Sequence, residues 1–289
     1  MKILLTGATG YLGSHLAHAF LQRGDRVVAV KRSSSCIERL SDIVDQLMFF
    51  DIDRMPAEEI IASAGSIDAV VHTATCYGRN GERDATIATS NYAFPLAVLE
   101  AAARTGTPLF VNTGTSLGKA VNAYALAKQQ FSEWGRMYAE SGRIAFVDLR
   151  LEHFYGPLDD ESKFVTFVLH SCARNESELR LTEGLQERDF IYIDDVISAY
   201  RAVLDAKWTG YHALDVGYGQ NVTIRHLVET AHVLTHSKTQ LRFGAVPMRS
   251  HELLQSTPDL KAIQALGWHA EISLKEGLQK ILAIEHLAS

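Results

Sequence analysis

The sequence predicts an α/β fold: a doubly wound parallel sheet with a smaller C-terminal lobe interleaved with it. Three observations carry this. Over the first 150 residues, short β-rich runs alternate with helical stretches, the pattern of βαβ units. A glycine-rich turn, Gly7 to Gly13, follows the first run directly and opens a helix. Beyond residue 150 the rhythm changes, and strands and helices follow in irregular order.

The apolar, β-branched runs at 3–5, 27–30, 47–50, 69–72, 109–112 and 145–149 read as buried strands of a parallel sheet. Between them, 13–23, 57–64, 92–104 and 123–140 carry helical periodicity. Right-handed crossovers then place helices on both faces of the sheet. Gly156-Pro157 breaks the chain, and 163–173 reads as a helix. A strand at 190–193 leads into a helix over 194–206, and another strand is expected near 212–216. Helical segments follow at 223–234 and 258–266. A last helix is opened by Ser273-Leu-Lys-Glu276, a capping box. This divides the chain into a sheet domain, 1–152, to which 187–220 partly returns, and a smaller lobe, 153–186 with 221–289.

With 289 residues, 47% of them hydrophobic, the chain buries a full core. A net charge of −6 argues against a nucleic-acid partner, which would call for a basic stripe. The three cysteines, Cys36, Cys76 and Cys172, form no disulfide framework or metal knuckle, which suits a reducing compartment. The opening Met-Lys-Ile-Leu-Leu-Thr-Gly enters a strand without a signal-peptide pattern, and no apolar run approaches the roughly 20 residues that span a bilayer. The expectation is a cytoplasmic protein with no membrane partner. His232 and His236 share a helical face, but no carboxylate motif accompanies them, so no metal is expected. His15 and His18 are expected on the outer face of the first helix.

Thr6-Gly7-Ala8-Thr9-Gly10-Tyr11-Leu12-Gly13 has the spacing GxxGxxG. Such a turn lets the backbone approach a pyrophosphate closely, and the helix N-terminus behind it offers N–H groups to anionic oxygen. Gly7, Gly10, Tyr11, Leu12 and Gly13 are therefore expected to line a dinucleotide. An acid at the end of the second strand would hold the ribose 2′-hydroxyl of NAD. This chain carries Lys31-Arg32 there instead, which favours the 2′-phosphate of NADP(H). The competing reading is a solvated surface pair.

Tyr124-Ala-Leu-Ala-Lys128 places a phenol and an ammonium one helical turn apart, after the hydroxyl-rich stretch Asn112-Thr-Gly-Thr-Ser116. Together with the glycine turn and Arg188-Asp-Phe-Ile-Tyr-Ile-Asp-Asp195, these residues resemble the extended short-chain dehydrogenase/reductases, the NAD-dependent epimerase/dehydratase group with its Rossmann sheet. Within that group, Ala74 to Arg79, Asn112 to Leu117, Leu151 to Gly156, Gly184 to Phe190 and Gly267-Trp268 resemble the CDP-3,6-dideoxyhexose 4-ketoreductases of the CDP-paratose synthase type.

The resemblance implies a sugar-ketone reduction, with Tyr124 as proton donor and Lys128 both lowering the phenol's pKa and holding the nicotinamide ribose. A hydroxyl must aim the carbonyl: Thr115 matches best, with Thr113 and Ser116 as alternatives, because this loop departs from the family's usual end. By position, Asp51, Ile52, Thr73, Ala74, Thr75, Asn91, Thr113, Leu151 and His153 resemble cofactor contacts. Lys163, Phe164, Arg188 and Arg249 resemble contacts to a nucleotide-diphosphate sugar. The helices after Asn91 and around Tyr124 imply a homodimer. A 4-epimerase or dehydratase of the same group, and a non-catalytic dinucleotide sensor, remain the alternatives. The first would hold NAD tightly and the second would lack the Tyr/Lys pair.

Overall fold

The computed structural model describes residues 1–248 and 254–287. The chain forms two compact units, Met1–Arg150 with Arg201–Leu214, and Leu151–Tyr200 with Asp215–Ser289. The segment returning to the first unit is thus shorter than 187–220.

The first half runs β1 (Lys2–Thr6), α1 (Tyr11–Gln22), β2 (Arg26–Lys31), β3 (Leu47–Asp51), α2 (Ala57–Ala64), β4 (Ala69–His72), α3 (Asp84–Ala88), α4 (Phe94–Arg104), β5 (Leu109–Thr115), α5 (Ala123–Glu140) and β6 (Ala145–Leu151). The second half runs β7 (His153–Tyr155), α6 (Phe164–Ala173), β8 (Glu178–Arg180), β9 (Glu187–Tyr192), α7 (Ile193–Asp205), β10 (Tyr211–Val216), β11 (Asn221–Thr223), α8 (Ile224–Leu234), β12 (Gln240–Arg242), α9 (Lys261–Gln264) and α10 (Leu274–Ile284).

A seven-stranded sheet has the order β10-β6-β5-β4-β1-β2-β3, and β3 through β5 pair in parallel. This is the doubly wound sheet the sequence predicts. Its winding reverses between β1 and β4. Crossovers leave those two strands in opposite directions, which puts the C-terminal ends of β1 and β4 at the switch point where open α/β sheets take ligands. The glycine turn, Lys31 and Thr73 all follow strand ends on that side.

The helix α5 is set by two local features. Asn122 caps it, its side chain accepting from Ala125 N at 2.8 Å. Gly135 lets it lie flush on the sheet: a Cβ there would come within 2.3 Å of the Phe146 ring. Beneath it, Phe110 and Phe146 stack at 5.4 Å, and Phe131 meets both edge-on. His72 is buried among these rings, its Nδ1 paired with Thr6 Oγ1 at 2.7 Å.

Two elements differ from expectation. The strand predicted over 109–112 continues to Thr115, three residues past its last partner in β4, through a stretch that stays largely buried. Thr113 and Thr115 therefore sit two apart on a strand and share a face. The helix predicted over 92–104 is preceded by α3 and a π-helical turn at Thr89–Ala93 that turns the Asn91 side chain inward.

In the second unit β9 pairs antiparallel with β11 and parallel with β7, while β12 pairs with β8. This small sheet claims the strand over 187–192, which explains the short return. The capping box at Ser273 and Glu276 is formed as predicted. Among the described residues no helix is long and apolar enough to cross a membrane. Nor does any group of histidine, cysteine and acidic residues among them suit a metal ion.

Candidate active site

The glycine turn is built of backbone alone. Gly7 has φ +72°, and a Cβ on it would lie 2.5 Å from Ala74 N. A Cβ on Gly13 would lie 2.0 Å from the Gly7 carbonyl oxygen. The glycine turn therefore packs as close to the loop after β4, and α1 as close to the turn, as atoms permit. Gly10 is its N-cap, with no side-chain cap and no acid in the first turn. Bare N–H groups and a helix dipole at a strand end fit a pyrophosphate, so the residues present suit a dinucleotide.

The end of β2 is more crowded than the sequence suggests. Lys31 stands opposite Asp51 in the strand register, and Lys31 Nζ donates to Asp51 Oδ1 at 2.6 Å. Arg32 is exposed, and its backbone N–H donates to Ser35 Oγ. Ser33 donates to Asp53 from both its backbone and its hydroxyl. Ile52 packs against the core of this unit.

After β4, Thr73 Oγ1 donates back to the Thr6 carbonyl, which tethers the loop to β1. Asn91 spends most of its side chain on the same loop and one bond on α3. Its oxygen accepts from Thr75 Oγ1 and Cys76 N, and its amide donates to the carbonyls of Cys76 and Ile87. Asn91 thus shapes the Thr73–Cys76 segment through the π-turn.

Tyr124 and Lys128 lie on the first two turns of α5. Hydrogen bonds link the Tyr124 hydroxyl to Thr115 and Thr75. Burial, with Tyr77 adding to it, pushes this phenol above its ordinary pKa, against the pull of Thr115, Arg79 and Thr75. The downward shift expected from Lys128 is not found. Lys128 is itself fully buried, and its Nζ donates to the Thr113 carbonyl at 2.9 Å. Burial brings its pKa down to about 8, with Asp148 opposing the fall. Of the three hydroxyls considered, Thr115 touches the phenol, whereas Thr113 gives its backbone oxygen to the lysine.

Two neighbours of Tyr124 were not anticipated. The Tyr77 ring lies 5.1 Å from the Tyr124 ring, and Arg79 sits over the other side chain at 4.9 Å from the Tyr77 centroid. Both belong to the Ala74–Arg79 stretch, whose composition carried a resemblance but no role. Asp148, inside an apolar strand, was also passed over.

In the second unit, Leu151 is buried and His153 packs on Phe190 at 5.9 Å between ring centroids. His153 Nδ1 stands 3.5 Å from the buried Glu152 carboxylate, which also accepts from Ser256 Oγ. Arg188 is 7% exposed and donates from one guanidinium nitrogen to the Glu187 carbonyl at 2.7 Å. Asp189 accepts from the Tyr218 and Gly219 amides, and burial pushes its pKa up to about 6. Lys163 caps α6, and Phe164 opens that helix half-exposed. Arg249 lies outside the described residues. His232 Nε2 is paired with the Thr239 carbonyl, while His18 in α1 meets Asp42.

Comparison with known proteins adds the following. A profile described as the NAD dependent epimerase/dehydratase family matches residues 3–217. CDP-abequose synthase of Salmonella muenchen is 34% identical, over 98% of this chain and 98% of its own length. The enzyme of the same name from Salmonella typhimurium is 30% identical, over 97% of each. Among solved structures, UDP-glucose 4-epimerase of Thermotoga maritima superposes with a TM-score of 0.87 at 23% identity, over 99% of both chains.

Proposed function

Since the chain belongs to the NAD dependent epimerase/dehydratase family, we propose that it is an NADP-dependent oxidoreductase that reduces the 4-keto group of a nucleotide-linked deoxysugar, a CDP-4-keto-3,6-dideoxyglucose-like substrate. The observation that carries the reading is the Tyr124 phenol, kept protonated by burial and hydrogen-bonded to Thr115, one helical turn from the Lys128 ammonium. A neutral phenol is an acid waiting for an oxyanion. The similarity to proteins named CDP-abequose synthase supports a CDP-sugar.

NADPH, when bound, supplies the hydride. The uncapped start of α1 and the glycine turn would hold its pyrophosphate, and Arg32 would meet the 2′-phosphate, with Lys31 divided between that phosphate and Asp51. Thr115 hydrogen-bonds the ketone oxygen and aims it. Tyr124 gives its proton to that oxygen as negative charge develops there, and Lys128, one helical turn away and tethered to the Thr113 carbonyl in the resting site, is the cation on hand for the phenolate left behind. The proton then returns to Tyr124 from solvent. Arg188, Lys163, Phe164 and Arg249 are proposed to hold the sugar nucleotide, since guanidinium groups donate paired hydrogen bonds to phosphate and stay charged. The chain is proposed to act as a homodimer in the cytoplasm; Leu126, Trp134 and Met137 are exposed along one side of α5.

The test is a panel of NDP-4-ketosugars incubated with NADPH or NADH. NADPH oxidation matched by a new C4 alcohol, greatest with the CDP-linked ketone, is the expected result. The reading falls if no ketosugar consumes reduced cofactor, or if NDP-hexoses are interconverted without net oxidation, as an epimerase would do.

A further inference from the structure

Strand β6 reads Ala-Phe-Val-Asp-Leu-Arg-Leu, and all of it except Arg150 is buried. A carboxylate in such a place is costly unless donors and opposite charge meet it. Asp148 is 2% exposed. Its oxygens accept from Asn112 Nδ2 at 2.6 Å and Ser132 Oγ at 2.8 Å. It also lies so near β5 that a Cβ on Gly114 would sit 2.7 Å from its Oδ1. These contacts bracket one residue. Ser132 is one turn beyond Lys128 on α5, and Asn112 and Gly114 flank Thr113, whose carbonyl receives Lys128 Nζ.

We propose that Asp148 is a positioning residue for Lys128: anchored by Asn112 and Ser132 behind the Thr113 tether, its carboxylate keeps the buried ammonium charged and so sets the upper pH limit of catalysis. This rests on the roles of Tyr124 and Lys128 given above. Burial alone drives Lys128 towards its neutral form, and Asp148 is the group that opposes it. The other titratable and charged neighbours are not anions. His72, on β4, is held neutral by burial and by Lys128 itself. Tyr124, on α5, rests as a phenol. Arg150, on β6, approaches Asp148 with Nε at 3.5 Å, and the Tyr211 hydroxyl, on β10, meets Ser132 at 2.8 Å.

The experiment follows the Lys128 Cε resonance against pH in 13C-lysine-labelled enzyme, alongside the pH profile of kcat for ketone reduction. In Asp148→Asn, which keeps shape and most hydrogen bonding, the lysine midpoint falls from about 8 by about one unit or more. The alkaline limb of kcat falls with it, so turnover above the wild-type midpoint drops about tenfold or more and recovers on the acid side. Ser132→Ala, which removes a donor but no charge, leaves both in place. A loss uniform across pH, with the lysine midpoint unmoved, overturns the proposal. Should Asp148→Asn not fold, the wild-type Asp148 carboxyl resonance decides: it steps at the Lys128 midpoint if the two are coupled, and a flat trace there overturns the idea. If the wild type reduces no ketosugar, the proposed reaction fails, while the lysine titration still judges Asp148.

Discussion

Tyr124 and its three neighbouring hydroxyl candidates separate once their contacts are known. Tyr124→Phe removes the proton donor while leaving the ring in place, so kcat is expected to fall about 10²- to 10⁴-fold with NADPH affinity nearly intact, read by steady-state kinetics and fluorescence titration. Thr115→Val is expected to lower kcat in the same sense, whereas Thr113→Val, whose backbone oxygen still serves Lys128, costs far less. The ion pair between Lys31 and Asp51 makes a second distinction. Arg32→Ala should weaken NADPH binding more than Lys31→Ala, with NADH affinity moved little by either; isothermal titration ranks them. His72 gives a stability prediction. Its native pKa lies well below 6.5, so the unfolded chain binds a proton that the folded one refuses. Its contribution is complete above the unfolded value, and stability is lost as pH falls below about 6.5, by up to about 1.4 kcal/mol per pH unit. Asp189, pushed up to about 6, works in the opposite direction below that pH. Urea unfolding of wild type and His72→Gln compared across this range isolates the histidine, whose removal should flatten the acid slope. At this scale the glycine turn and the Tyr/Lys pair stand out in the sequence because their spacing falls at the right places, one directly after the first strand and the other after the fifth. Thr115 was the best match by its count from the strand, with Thr113 and Ser116 left open because their separation depends on how far β5 runs; the Lys31–Asp51 contact was not legible, because it depends on which strands pair.

The elements were read well where periodicity is regular and poorly where side chains bend the backbone. The π-turn at Thr89–Ala93 exists around four hydrogen bonds of one asparagine, three of them to Thr75 and Cys76, which no simple pattern connects with it. The end of β5 looked like a loop because threonine and glycine are turn formers as well as strand residues, and only pairing decides between them. The seat of α5 depends on Gly135, which a sequence reading counts as a helix defect. Gly135→Ala should instead destabilise the fold by about 1–3 kcal/mol, despite alanine's better helix propensity, since the added methyl meets the Phe146 ring. Because the same shift lifts the helix carrying Tyr124 and Lys128, kcat is expected to fall along with the urea midpoint.

For the whole molecule, the doubly wound parallel sheet followed from alternation and handedness, while β7 and β11, the strands on either side of β9, escaped notice because three-residue strands carry too little pattern. The proposed dimer gives a prediction at this level. Static light scattering should report twice the 31.9 kDa chain mass, and Trp134→Glu with Met137→Glu should return it to the monomer value without unfolding. The chain passes between its two units after Arg150, after Tyr200 and after Leu214. During synthesis, then, the ribosome must deliver most of the polypeptide before the seventh strand, β10, is available to dock beside β6. A nascent chain stalled before residue 211 would leave that strand edge bare, open to misassociation with other chains. Neither unit can be cut out as one unbroken stretch of gene.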